Sequence, residues 1–192
     1  SKNYLFHYLA GTSDVIQSFC EYKLLFFLID FKHNKILLKE LKESDIMRLK
    51  DIREESELKQ FAVSKLLGVS RGTYSLWELE LDLIPLKRLN DFCNIFNCSI
   101  DYALGFTNIK NYKNNRAKIN LELSSKRLKE TRKELKRTQD YLAKKLSLNR
   151  SLISKYESGH TLISTTFLIE YVKLFNLSSD YLLGKIDNKI KI

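Results

Sequence analysis

The chain has 192 residues, of which 44% are hydrophobic, so it is long enough and apolar enough for one ordinary domain or two small ones. With 33 Lys and Arg against 23 Asp and Glu it carries a formal net charge of +10, which points to an anionic partner. No apolar run approaches the ~18 residues of a membrane span, and the three cysteines, Cys20, Cys93 and Cys98, form neither a C-x-x-C nor an even disulfide set.

Residues 1–43 are the least patterned. The segment SDVIQSFCEYKLLFFLIDF is too apolar for an exposed stretch and KHNK reads as a turn before KILLKEL; helix-turn-helix and hairpin both fit. This surface needs covering, by the chain itself, a second subunit or another protein. YLAGTSD, from Tyr8 to Asp14, is similar to YALGFTN, from Tyr102 to Asn108, so the tail of a truncated repeat is a further reading. No signal-peptide pattern opens the sequence, and the cytoplasm is the expected location.

Residues 44–106 predict a bundle of short helices, and residues 124–187 predict it again. Gln60 and Gln139 are 139 − 60 = 79 apart, and the same offset pairs Arg53 with Arg132, Arg71 with Arg150, Glu78 with Glu157, Asp101 with Asp180, Gly105 with Gly184 and Trp77 with Tyr156. Self-similarity at one fixed period is the mark of a duplicated structural unit. Between the copies, residues 107–123 are rich in Asn and Lys and read as a solvated linker. Residues 188–192 form a short basic tail.

In the second copy, Thr138 is placed to cap one helix and Asp140 to favour its positive end, with Leu142, Ala143 and Leu146 on one face. Asn149 is placed to cap the next helix. Ile153 and Tyr156 then point inward, while Arg150, Ser151, Ser154 and Lys155 point out as donors for base edges and phosphates. In the first copy, Gly72 replaces Ser151, Leu76 replaces Lys155, and Lys59 stands where Thr138 caps. Gln60, Ser70, Arg71, Thr73 and Ser75 remain as weaker candidates. Glu80 and Asp82 follow them, and carboxylates there repel a phosphate backbone. Residues 49–106 carry 7 − 9 = −2 and residues 116–187 carry 15 − 8 = +7, so the second copy is the expected reader of DNA.

The stretch TQDYLAKKLSLNRSLISKYE, from Thr138 to Glu157, together with LFNLSSDYLLG, from Leu174 to Gly184, resembles the Cro/repressor-type helix-turn-helix family of bacterial and phage regulators, also called the xenobiotic-response-element family. The resemblance implies an all-α fold of two tandem five-helix helix-turn-helix domains with an extra N-terminal segment. It implies that Gln139 binds phosphate and that Arg132–Glu157, and by the repeat Arg53–Glu78, are ion pairs tying the first helix to the third. Double-stranded DNA is the implied partner, with Gln139, Asn149 and His160 positioning the backbone. Arg137 departs from the family, which buries a Leu just before the second helix, as Leu58 stands in the first copy; its stem is expected to pack while its charge reaches water.

His7, His33 and His160 are isolated and the glycines form no nucleotide loop, so no cofactor, metal or catalytic group is expected, and no enzyme. A transcriptional regulator is the leading reading. The alternative is an interaction protein, such as an antitoxin or an antagonist of another regulator, that uses residues 1–43 or the first domain to hold a protein partner or a second copy.

Overall fold

The computed structural model describes residues 47–192, so the readings of residues 1–43, as interaction segment or truncated repeat, lie outside the described residues. Ten helices and no strand occur among them: α1 (Leu49–Glu55), α2 (Gln60–Leu66), α3 (Arg71–Glu78), α4 (Leu86–Ile95) and α5 (Ile100–Ala103), then α6 (Leu121–Glu134), α7 (Gln139–Lys145), α8 (Arg150–Glu157), α9 (Thr165–Phe175) and α10 (Ser179–Leu182). The fold is all-α, in two five-helix units. None of these helices is long and apolar enough to cross a membrane.

The repeat extends to the backbone. Left-handed residues at Glu57, Gly68, Glu80, Asn97 and Gly105 recur 79 positions later at Lys136, Ser147, Gly159, Asn176 and Gly184. Each stands at or just after a helix end, where one left-handed residue ends the helix and turns the chain. Gly184 is tightly constrained, because a Cβ there would lie 2.9 Å from Asn120 Cβ and 3.0 Å from Leu123 Cβ. The caps recur as well: Ser99 and Ser178 hydroxyls accept from the amides of Tyr102 and Tyr181, at 3.0 and 3.1 Å. Thr138 caps α7 through the Tyr141 amide at 3.0 Å, whereas Lys59 makes no such bond to α2.

Equivalent positions fill the two cores. Leu49, Val63, Tyr74, Trp77, Ile84, Leu89 and Phe92 are buried in the first, and Leu128, Leu142, Ile153, Tyr156, Ile163, Leu168 and Tyr171 in the second. Tyr171 donates its hydroxyl to the Leu128 carbonyl at 2.8 Å, which satisfies the one polar atom its ring brings inside. Cys93 and Cys98 are buried free thiols.

The two units meet through α5 and α10 in a crosswise arrangement. Asp101 Oδ1 accepts the Ser179 amide at 2.6 Å and its Oδ2 accepts the Ser178 hydroxyl at 2.5 Å. In return, Asp180 accepts the amides of Ile100 and Asp101, at 3.2 and 2.9 Å. Each carboxylate thus binds the start of the other unit's helix, Asp101 through one amide and one hydroxyl and Asp180 through two amides, where the helix dipole also favours negative charge. Because Asp101 and Asp180 are equivalent in the repeat, this junction is built like the two-fold contact of a homodimer, within one chain. Burial first, and the Asp101 charge next, push the Asp180 carboxyl up to about 7. Lys185, itself buried, donates to Asn90 Oδ1 at 2.7 Å, and Thr165 Oγ1 donates to the Ile84 carbonyl at 2.6 Å.

Residues 107–123 are mostly exposed, as the linker reading expects, and are also tied to both units. Asn90 and Asn94 amides both bind the Ala117 carbonyl, the Arg116 amide binds the Lys185 carbonyl at 2.9 Å, and the Asn120 amide binds the Leu183 carbonyl at 3.0 Å. Asn120 also caps α6 at the Leu123 amide, so the helix begins inside that segment. Asn111 donates to the Asn97 carbonyl of the first unit at 3.4 Å and Asn115 to Asp180 Oδ1 of the second at 3.4 Å.

Candidate nucleic-acid interface

In the second unit, α6 and α8 are tied by Arg132. Its Nε and Nη2 donate to Glu157 Oε1 and Oε2 at 2.6 and 2.8 Å, and its Nη1 donates to the Arg137 carbonyl at 2.8 Å. This planar fork, spent on a carboxylate and a carbonyl, fixes the angle at which α8 leaves the core. Gln139 adds its Nε2 to Glu157 Oε2 at 2.9 Å, so α7 is held by the same carboxylate. A carboxamide nitrogen has two donors, and this bond uses one of them. The first unit repeats the arrangement, with Arg53 Nε and Nη2 on Glu78 at 2.5 and 3.2 Å and Gln60 at 2.9 Å. Burial raises the Glu78 carboxyl, but the hydrogen bonds from Arg53 and Gln60 outweigh it and hold it below the usual range.

Held this way, α8 buries Ile153, Tyr156 and Glu157 and leaves Arg150, Ser151, Ser154 and Lys155 exposed. Asn149 occupies the N-cap position, but its side chain makes no cap bond, contrary to the sequence expectation. The extended backbone at Asn149 already brings its carbonyl to Ile153 N, at 3.3 Å, and its exposed carboxamide is left to solvent. His160 is exposed beyond the helix, with its Nδ1 2.8 Å from the Ser158 hydroxyl. Arg137 is exposed, its guanidinium 4.6 Å from the centre of the Tyr141 ring, so the ring supports the stem that replaces the family's Leu.

One partner was not foreseen. Asp140 lies 3.5 Å from Arg150 Nε, joining the starts of α7 and α8. Both side chains are exposed, so the pair is weak and a phosphate or base can displace it. Ten residues and a turn separate the two, and no helical spacing signals such a contact.

The first unit presents a different surface at the same positions. Arg71 is exposed and Thr73 and Ser75 half-buried, with Ser70 capping α3 through the Thr73 amide at 3.0 Å. Around them stand Leu76, Leu79 and Leu81, respectively 43%, 58% and 71% exposed, where the second unit has Lys155, Ser158 and His160. Glu80 accepts the Met47 amide at 2.9 Å, and Asp82 is exposed. The loops that follow α3 and α8 line one groove of about 1130 Å³, between Asp82–Leu86 and His160–Thr166.

Comparison with known proteins agrees with this architecture. A family model described as helix-turn-helix matches residues 49–102 and again 128–182. The HTH-type transcriptional regulator ImmR of Bacillus subtilis (strain 168) is 42% identical over 60 residues, which is 31% of this chain and 47% of the relative; the chain thus spans about half the length of the curated protein it matches. No solved structure matches. Since the two matched segments together take up more than half of the sequence, the chain belongs to the xenobiotic-response-element type of helix-turn-helix family, and carries its domain twice.

Proposed function

We propose that the chain is a sequence-specific DNA-binding transcriptional regulator of repressor type, in which α8 enters the major groove and the first unit contributes little to reading. The observation that carries this is the polar, basic outer face of α8, with Arg150, Ser151, Ser154 and Lys155 all exposed on a helix locked by Arg132 and Glu157. Arg150 and Lys155 supply donors for base edges, and Gln139, Asn149 and His160 stand where they set register on the backbone. The +7 balance of residues 116–187 favours counterion release, whereas the −2 balance of residues 49–106, with Asp82 beside α3, does not.

The test uses the full chain. Selection from a random DNA pool identifies the bound sequence, and gel shifts across a salt series measure affinity for it. Arg150→Ala should cost ~1–3 kcal/mol if it pairs with a guanine, Lys155→Ala should also weaken binding, and Arg71→Ala should leave it nearly unchanged. Operator affinity untouched by both α8 substitutions would remove the assignment, and a loss on Arg71→Ala equal to that on Arg150→Ala would show that both units read.

A further inference from the structure

The turn between α6 and α7 carries charge that the core does not use. Lys133, Lys136 and Arg137 are exposed, and 79 positions earlier the equivalent turn carries Glu54, Glu57 and Leu58. The two turns share one backbone. Lys136 and Glu57 are both left-handed, at φ 52° and 55°, and the Arg137 and Leu58 carbonyls accept from Arg132 and Arg53 at 2.8 and 2.9 Å. Three equivalent positions thus carry +3 in the second unit and −2 in the first. Solubility requires only charge, and either sign supplies it; a change of sign concentrated at one end of α6 points to an anion. The neighbouring carboxylates of α6 are already met, Glu130 by Lys126 at 4.0 Å and Glu134 by Lys189. Among the described residues, Lys133, Lys136 and Arg137 have no carboxylate partner.

We propose that these three side chains hold the sugar–phosphate backbone of DNA beside the half-site that α8 reads, and hold it whatever the base sequence. The placement follows from Arg132. Its Nη1 binds the Arg137 carbonyl while its Nε and Nη2 bind Glu157, the last residue of α8, so the turn and the helix are held as one piece. A phosphate gripped at the turn therefore fixes where α8 lies. Arg137 is also supported for this role. Its guanidinium lies 4.6 Å from the centre of the Tyr141 ring, and the first unit has Ala62 in place of that tyrosine, so the arginine and its support occur together. A ring against one face of the guanidinium leaves its in-plane N–H groups for phosphate oxygens. Such contacts set orientation and carry no base information. The inference rests on the reading of DNA by α8, and its test separates the two.

The full chain is measured on its selected operator and on an unrelated duplex, by gel shifts across a salt series. With Lys133, Lys136 and Arg137 all replaced by Ala, the slope of log affinity against log salt should fall by about 2 to 3, since each phosphate contact contributes ~0.9. Affinity for the two duplexes should fall by the same factor, so the preference for the operator stays unchanged, whereas Arg150→Ala lowers that preference. Arg137→Leu, which matches the first unit, should lower the slope by about one with an unchanged helical circular-dichroism spectrum, and Arg137→Lys should keep it. Operators carrying one neutral methylphosphonate at a time should reveal a backbone position where the wild type loses affinity and Arg137→Leu loses none further. A triple variant with the wild-type salt slope, while Arg150→Ala still weakens operator binding, overturns the inference and leaves the reading by α8 standing. So does a loss confined to the operator, which would make the three residues readers of bases. An Arg150→Ala variant with undiminished preference removes the α8 reading instead.

Discussion

Replacing Asp180 by Asn tests the crosswise junction most directly, because it keeps the shape of the side chain and removes its titration. In the wild type this carboxyl is pushed from its ordinary value of 3.8 up to about 7, by burial first and the Asp101 charge second. A raised value means that the folded state holds the proton more tightly than the unfolded chain. The associated stability is therefore complete below pH 4 and lost as pH rises through 7. At about 1.4 kcal/mol for each pH unit, the window amounts to roughly 4 kcal/mol. The Asn variant has no such loss, but its NH₂ cannot accept, so one of the amides of Ile100 and Asp101 loses its partner at a cost of about 1–3 kcal/mol. Thermal unfolding of both proteins from pH 4 to 8 separates these effects, since the lost amide partner costs the same at every pH and only the wild type carries the Asp180 titration. The variant should melt below the wild type at pH 4 and gain on it steadily, by about 10 °C across the window, taking ~2–4 °C per kcal/mol for a chain of this size. A constant difference in melting temperature across the range would refute the reasoning and place the Asp180 carboxyl in ordinary, charge-tolerant surroundings.

Glu157→Ala should destabilise the chain by about 3–5 kcal/mol, because it strands the buried Arg132 guanidinium and also releases Gln139; urea unfolding at neutral pH measures it, and a loss under about 1 kcal/mol would mean that water replaces the carboxylate. Gly184→Ala should lose more than the ordinary cost of a left-handed alanine, about 1 kcal/mol, since the new Cβ meets Asn120 and Leu123 as well. An unchanged melting temperature would show that α6 moves aside freely. Ser147→Gly should stabilise by about 0.5–1 kcal/mol, because Ser147 holds φ +52° where the first unit has Gly68; a lower melting temperature in the variant would mean that the Ser147 side chain makes a compensating contribution.

The two five-helix units were legible because the features that define them are local. Caps such as Thr138, the inward spacing of Ile153 and Tyr156, and the 79-residue offset each depend on neighbouring residues or on self-comparison, and a sequence displays both. The outer face of α8 was legible for the same reason: a helix whose inner face is known has its outer face determined by 3.6-residue periodicity. Other features required the folded chain. Asp101 and Asp180 could be paired as equivalents, but that each binds the start of a helix in the other's unit depends on how two domains dock, which no periodicity encodes. Residues 107–123 have the composition of a linker and are mostly exposed, and only the presence of Leu183, Lys185 and Asn90 within hydrogen-bonding distance ties down Asn120, Arg116 and Ala117. Asn149 has the right chemistry to cap and does not, while Asp140 meets Arg150 across a turn, because the direction a short polar side chain takes is set by the surrounding surface rather than by its position in a helix.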